Sequence, residues 1–205
     1  MIDVNVHLSR WPFRRVAGDE PRELIAMLRR HGVTEAWAGS FDALLHKDIN
    51  AANERLASDC AASKGFLVPF GALNPMLPDW QEDLRRIVDR HRMKGIRLYP
   101  NYHRYTLSDV IASEVVAAAA KHSLRVQIVL AMEDERTQNP LVRVPPVDPA
   151  PVPSLLSSVP GLRLMLLNAA RPLSRMPGVF CDFAMQDKHG REGRGGGGQG
   201  GGGQR

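Results

Sequence analysis

Met93-Lys94-Gly95-Ile96-Arg97-Leu98-Tyr99-Pro100-Asn101-Tyr102-His103-Arg104-Tyr105 reads as a strand that runs into a cluster of chemistry. Ile96 and Leu98 alternate with Arg97 and Tyr99, so a period of two puts the apolar pair on one face and Arg97 with Tyr99 on the other. Pro100 predicts the end of the strand, because it has no N–H to give to a ladder, and leaves Asn101, Tyr102, His103 and Arg104 in a loop. Polar groups thereby gather at the carboxyl end of a strand. Folds that alternate strand with helix build their active sites there. The plainer reading of the same residues is a structural ion pair for Arg97 and packing for the tyrosines.

Working towards the N-terminus, Ile2 to His7 alternates strictly, Ile2, Val4 and Val6 against Asp3, Asn5 and His7, and predicts a strand with one polar face. Ser9 to Glu20 reads as a loop, and Pro21 to His31 as a helix stopped by Gly32. Strands are predicted at Val33 to Ser40 and Phe66 to Leu73, with helices at Lys47 to Ser63 and Leu77 to Arg92. Towards the C-terminus, Ser108 is a candidate N-cap for a helix to His122. Leu124 to Leu130 is the fifth strand.

Prolines at 140, 145, 146, 149, 151 and 153 then exclude regular structure and predict a long ordered loop, of the kind that forms lids. A short helix at 154–158, a strand at Leu162 to Leu167 and a strand at Val179 to Phe183 follow. From Gly190 onward nothing but Glu192 departs from glycine, glutamine and arginine, a composition that buries no core. The expected organisation is one barrel-like domain over 1–187 and a disordered tail over 188–205.

Strand and helix alternate about six times before the seventh strand, which implies a parallel sheet with right-handed crossovers. A doubly wound sheet and a (β/α)8 barrel both fit that order. Inner strands of an open sheet are covered on both faces, yet Asp3, Asn5, His7, Arg97, Tyr99 and Gln127 recur on one face, as they would lining a barrel near its mouth. No Gly-x-Gly-x-x-Gly follows the first strand. The barrel is therefore favoured, with about seven strands and the eighth expected to be missing.

The formal charge of +5 comes mainly from scattered arginine. It suits a solvated surface or an anionic ligand, and it lacks the clustered basic face with interleaved aromatics that nucleic acid requires; a single Arg194-Gly195-Gly196 unit adds little. No membrane-length apolar run and no secretory leader pattern are present, so a cytoplasmic protein is expected. Cys60 and Cys181 are expected to be reduced and structural.

Ile2-Asp3-Val4-Asn5-Val6-His7 and Lys94-Gly95-Ile96-Arg97-Leu98-Tyr99-Pro100, with the strand spacing between them, resemble the amidohydrolase superfamily, in its amidohydrolase-related branch of metal-dependent hydrolases and decarboxylases on a TIM barrel. The resemblance implies hydrolysis or decarboxylation of a small, carboxylate-bearing molecule. It also implies a divalent metal, zinc, held by His-x-His on strand one, by histidines ending strands five and six, and by an aspartate ending strand eight. Here those positions read Asn5 and His7, then Val129, then Asn168, with no eighth strand. His7 alone remains as a metal ligand, and a catalytic zinc needs about three protein ligands.

Two expectations follow. In one, an enzyme works through His7, Arg97, Tyr99, His103, Glu133 and Asp134 as catalytic groups, with Asn5, Arg97 and Asn168 binding substrate. In the other, the chain is a non-catalytic ligand-binding barrel or a truncated remnant, whose open strand edges predict self-association. Arg97 is expected to clamp a carboxylate or to pair with Asp3 or Glu133. Glu133 and Asp134 offer a general base, or else a salt link with Arg136. His103 is taken as an exposed loop histidine, and Asp182 as a buried hydrogen-bonding group.

Overall fold

A computed structural model describes residues 1–169 and 179–182. Its strands are β1 (Ile2–Leu8), β2 (Glu35–Ser40), β3 (Leu67–Ala72), β4 (Gly95–Leu98), β5 (Arg125–Val129), β6 (Arg163–Leu167) and β7 (Val179–Cys181). The helices between them are α1 (Pro21–Arg30), α2 (Ile49–Ala62), α3 (Trp80–Arg85), α4 (Pro100–His103), α5 (Val110–Lys121) and α6 (Val152–Ser158). All strand pairs are parallel, and the sheet order is β1-β2-β3-β4-β5-β6-β7. A doubly wound sheet reverses its order at a switch point, whereas this one runs straight through and curls into an incomplete (β/α) barrel. The expected tail over 188–205, Phe183 and His189 lie outside the described residues.

Alternation along the strands sorts the core into an outer and an inner layer. Ile96, Leu98, Val126, Ile128, Leu164 and Leu166 face outward against Leu84 of α3, Val115 and Val116 of α5 and Leu155 of α6. Val6, Leu8, Ala36 and Ala38 do the same against Leu24 and Leu28 of α1 and Leu56 of α2. The inner layer joins Ala72, Tyr99, Val129 and Leu167 to Trp11 and Leu44 from the loops above. Helix ends follow local chemistry. Proline and Glu23 open α1 while Arg29 and Arg30 close it, and the Asp48 carboxylate caps α2 by accepting from the Ala51 N–H at 2.9 Å.

The structure corrects the expected elements in several places. Residues 100–103 are a helical turn rather than a loop, because Pro100 at its first position has the right φ and no N–H to waste; Arg104 ends it in the left-handed region at φ 60°. The N-cap of α5 is Asp109, not Ser108, and α3 begins at Trp80, then widens into a π-helical turn over Arg86–Arg90. Most consequential is β1. Asp3 pairs with Ala36 and Val6 with Ala38, so three steps of β1 span two of β2. This bulge breaks the strict alternation: Val4 joins the inner layer, and Asp3 no longer shares a face with Asn5 and His7.

Candidate functional site

Arg97 projects from β4 into the barrel, where it is fully buried. Nε donates to Gln127 Oε1 at 2.8 Å, Nη1 to the Val6 carbonyl at 2.7 Å, and Nη2 to the carbonyls of Val4 at 3.2 Å and Trp37 at 3.0 Å. The remaining Nη1 hydrogen faces His7 Nε2 at 3.3 Å. A guanidinium has five N–H groups and no acceptor, so His7 must accept through Nε2 and carry its proton on Nδ1. Burial, and then the Arg97 charge, hold the His7 pKa well below its usual value, in keeping with a neutral ring.

The bulge explains this arrangement. Its Val4 carbonyl also accepts from Gln127 Nε2 at 2.9 Å, so Arg97 and Gln127 together satisfy backbone that β2 leaves unpaired. Gly39 lets the side chain through: a Cβ there would lie 2.7 Å from Arg97 Nη1 and 2.9 Å from the Tyr99 hydroxyl. The expectations that Arg97 clamps a carboxylate, or pairs with Asp3 or Glu133, therefore fail on geometry. All five donors are engaged, none by a carboxylate.

A second polar group sits at the strand ends. Asn168, just past β6 and left-handed at φ 58°, gives its backbone N–H to Asp182 Oδ1 at 2.7 Å and its Nδ2 to the Ala131 carbonyl at 2.6 Å. Asn5 Nδ2 donates to Asn168 Oδ1 at 2.6 Å and to Asp182 Oδ2 at 2.5 Å. These bonds tie β1 to the exits of β6 and β7 although the two edge strands do not pair. Asn5 Oδ1 is buried with no partner among the described residues. Burial raises the pKa of Asp182 against the hydrogen bonds from Asn168 and Asn5.

Aromatic side chains roof the site. His7 stacks on Phe41, with ring centres 4.8 Å apart, and Trp11 meets Phe13 and Phe41 edge-on at 5.4 and 5.1 Å. Burial pushes the Tyr99 hydroxyl up to about 12, so at neutral pH it is a protonated phenol and no base. Beside it a slot of about 10 Å³, lined by Tyr99, Tyr102, Val129, Met132 and Val147, has room for about one water. The predicted long loop covers this slot. The Val147 N–H donates to the Leu130 carbonyl at 2.7 Å, and Asn101 Nδ2 to the Pro145 carbonyl.

The other expected groups fall elsewhere. His103 is not exposed; it is buried beneath the loops, with Nε2 donating to the Ala43 carbonyl at 2.9 Å, and burial lowers its pKa. Glu133 and Asp134 lie beyond the end of β5. Glu133 pairs with Arg14 at 3.2 Å, while Asp134 pairs with Arg136, whose hydrogen bonds hold its carboxyl down at about 2. The raised pKa expected of a general base is thus reversed at Asp134. Val129 and Asn168 stand where the sequence puts them, the first on the inner layer and the second at the end of β6. The sequence reading passed over Gln127 and Gly39 as functional residues; a glycine on a strand opposite an inward arginine was the available signal.

The divalent metal implied by the resemblance does not fit this donor set. Among the described residues no three His, Cys, Asp or Glu side chains come together. His7 Nε2 faces a guanidinium, Val129 has no donor, and the Asn5 and Asn168 amides bond each other. Also among the described residues, no helix is long and apolar enough to cross a membrane. Burial pushes the Cys60 thiol up to about 12.

Solved structures with this fold include the 2,6-dihydroxybenzoate decarboxylase from Rhizobium, 13% identical with a TM-score of 0.62 over 82% of this chain and 65% of that one. A 5-carboxyvanillate decarboxylase from Novosphingobium aromaticivorans, solved with bound manganese, is 14% identical with a TM-score of 0.55 over 82% and 65%. An uncharacterized TIM-barrel protein from Bordetella bronchiseptica is 11% identical with a TM-score of 0.61 over 88% and 74%. The chain thus spans just under two thirds of the two decarboxylases' length. No curated protein matches. The family profile described as Amidohydrolase matches residues 2–194. With its inward Arg97 on β4, its strand-end polar cluster and that match, the chain belongs to the amidohydrolase family.

Proposed function

We propose that the mouth of this barrel binds a small carboxylate-bearing molecule of the hydroxybenzoate kind, without metal-assisted hydrolysis. One observation carries the reading: Asn5 Oδ1, whose amide nitrogen is engaged by Asn168 and Asp182, is a buried acceptor that lacks a donor among the described residues. A phenolic or carboxylic O–H would supply it. Arg14 on the rim provides a cation for the carboxylate, and the aromatic roof of His7, Trp11 and Phe41 suits a flat ring. The named ligand class of one structural neighbour, solved with 2,6-dihydroxybenzoate, has this chemistry. The donor set argues against a catalytic metal.

Asp182 supports a second reading, metal-free decarboxylation. A buried carboxyl whose pKa is raised can carry the proton that replaces CO2 on the ring carbon.

Calorimetric titration with 2,6-dihydroxybenzoate, elemental analysis and CO2 release separate these readings. Binding without stoichiometric metal, weakened by about 2- to 10-fold in Asn5→Ala as one hydrogen bond is lost, is the expected result. CO2 release that Asp182→Asn abolishes selects the second reading. Stoichiometric zinc or manganese that disappears in His7→Ala overturns both.

A further inference from the structure

The end of the barrel opposite the mouth holds a cleft that the strand-end chemistry does not use. It opens between α1, the start of β2 and the turn from α2 into β3, and has a volume of about 520 Å³. Arg22, Arg29 and Lys64 converge on it with Thr34 and Ser63, over an apolar side formed by Ile25 and Phe66. No carboxylate lines it. Arg14, Arg55, Arg85 and Arg90 each hold an acid, whereas Arg22, Arg29 and Lys64 join no ion pair among the described residues.

All three cations are exposed, and one of them is held in place. The Arg29 guanidinium lies 5.0 Å over the Phe66 ring, which orients it without neutralising it. Lys64 and Gly65 are both left-handed, at φ 55° and 88°, and this turn fixes where Lys64 leaves the end of α2. Uncompensated like charges repel, and side chains ordered in advance lose less entropy when a ligand arrives. Three cations around one concavity match a multivalent anion, and the planar forks of two arginines suit phosphoryl oxygens. The volume falls within the usual range for small-molecule sites.

We propose that this cleft binds a small phosphate-bearing molecule, at a site separate from the mouth. The probe is inorganic pyrophosphate, titrated by calorimetry at low ionic strength into the full chain. Wild type is expected to bind saturably, with affinity at least about tenfold weaker in Arg29→Glu and in Lys64→Glu. Arg30→Glu makes the same charge change one residue outside the cleft and should leave affinity within about twofold. Circular dichroism checks that each variant is folded. No wild-type heat at millimolar pyrophosphate overturns the proposal, as does an equal loss in Arg30→Glu, which would mean a diffuse field. Tight binding of single-stranded RNA without pyrophosphate binding overturns it too.

Discussion

Arg97 and Arg14 both serve the mouth of the barrel, one from inside and one from the rim. Arg97 is fully buried, gives all five N–H groups to neutral acceptors and meets no carboxylate within pairing distance. Arg14 is 58% exposed and holds Glu133 through one contact at 3.2 Å. The rim pair has the more familiar look of a functional interaction, yet water screens it, while the interior arginine replaces water for five groups of the fold. The two regions teach that the cation most conspicuous in the sequence is a structural tie, and that the exchangeable cations lie in the loops.

Removing Arg97 tests the comparison hardest. Arg97→Leu takes the guanidinium donors from the Val6 and Trp37 carbonyls, Gln127 Oε1 and His7 Nε2, while Val4 keeps its bond from Gln127, and is expected to cost about 3–5 kcal/mol in urea unfolding. Lysine should not rescue it, because an ammonium on a flexible stem cannot span acceptors on β1, β2 and β5 together. A loss below about 1 kcal/mol would break the comparison. Gly39→Ala crowds the same guanidinium without removing it, and about 1–3 kcal/mol is expected from overpacking.

His103 adds a pH arm. Burial holds its folded pKa below the usual imidazole value of 6.5, so the unfolded chain binds the proton first as pH falls. Its stabilising contribution is full above about pH 6.5 and declines below it, down to the folded pKa. Thermal melts from pH 8 to 5 should show Tm falling towards acid, and His103→Gln should flatten that slope. The smallest effect belongs to the rim. Arg14→Ala is expected to change stability by at most about 1 kcal/mol and to weaken hydroxybenzoate binding, a split between melting and titration that Arg97 variants should not show.

Much of the fold was legible from sequence because it rests on local periodicity. Ile96 and Leu98 against Arg97 and Tyr99, and Gln127 with Val129, declared their faces, and the unreversed strand order followed from the helices between. The β1 bulge was not legible, since it concerns how Asp3 and Val6 register against Ala36 and Ala38, and residues 2–7 alternate as well with the bulge as without it. The partners of Arg97 were hidden for the same reason: four of its acceptors lie 30 to 93 residues away in sequence. Burial of His103 depended on a helical turn that Pro100 begins, where proline had suggested only an ending. At the candidate site the residue types were readable, while what each one touches was not.

Because Arg97 fills the bore of the barrel beneath Tyr99, the strand-end site above it has a fixed floor. That floor is set by the strands, while the loops at 9–20, 41–44 and 132–151 supply walls above it. A designer wishing to change what this protein accepts would rebuild those walls and leave the floor alone, since lowering it means dismantling the tie that holds β1 in place.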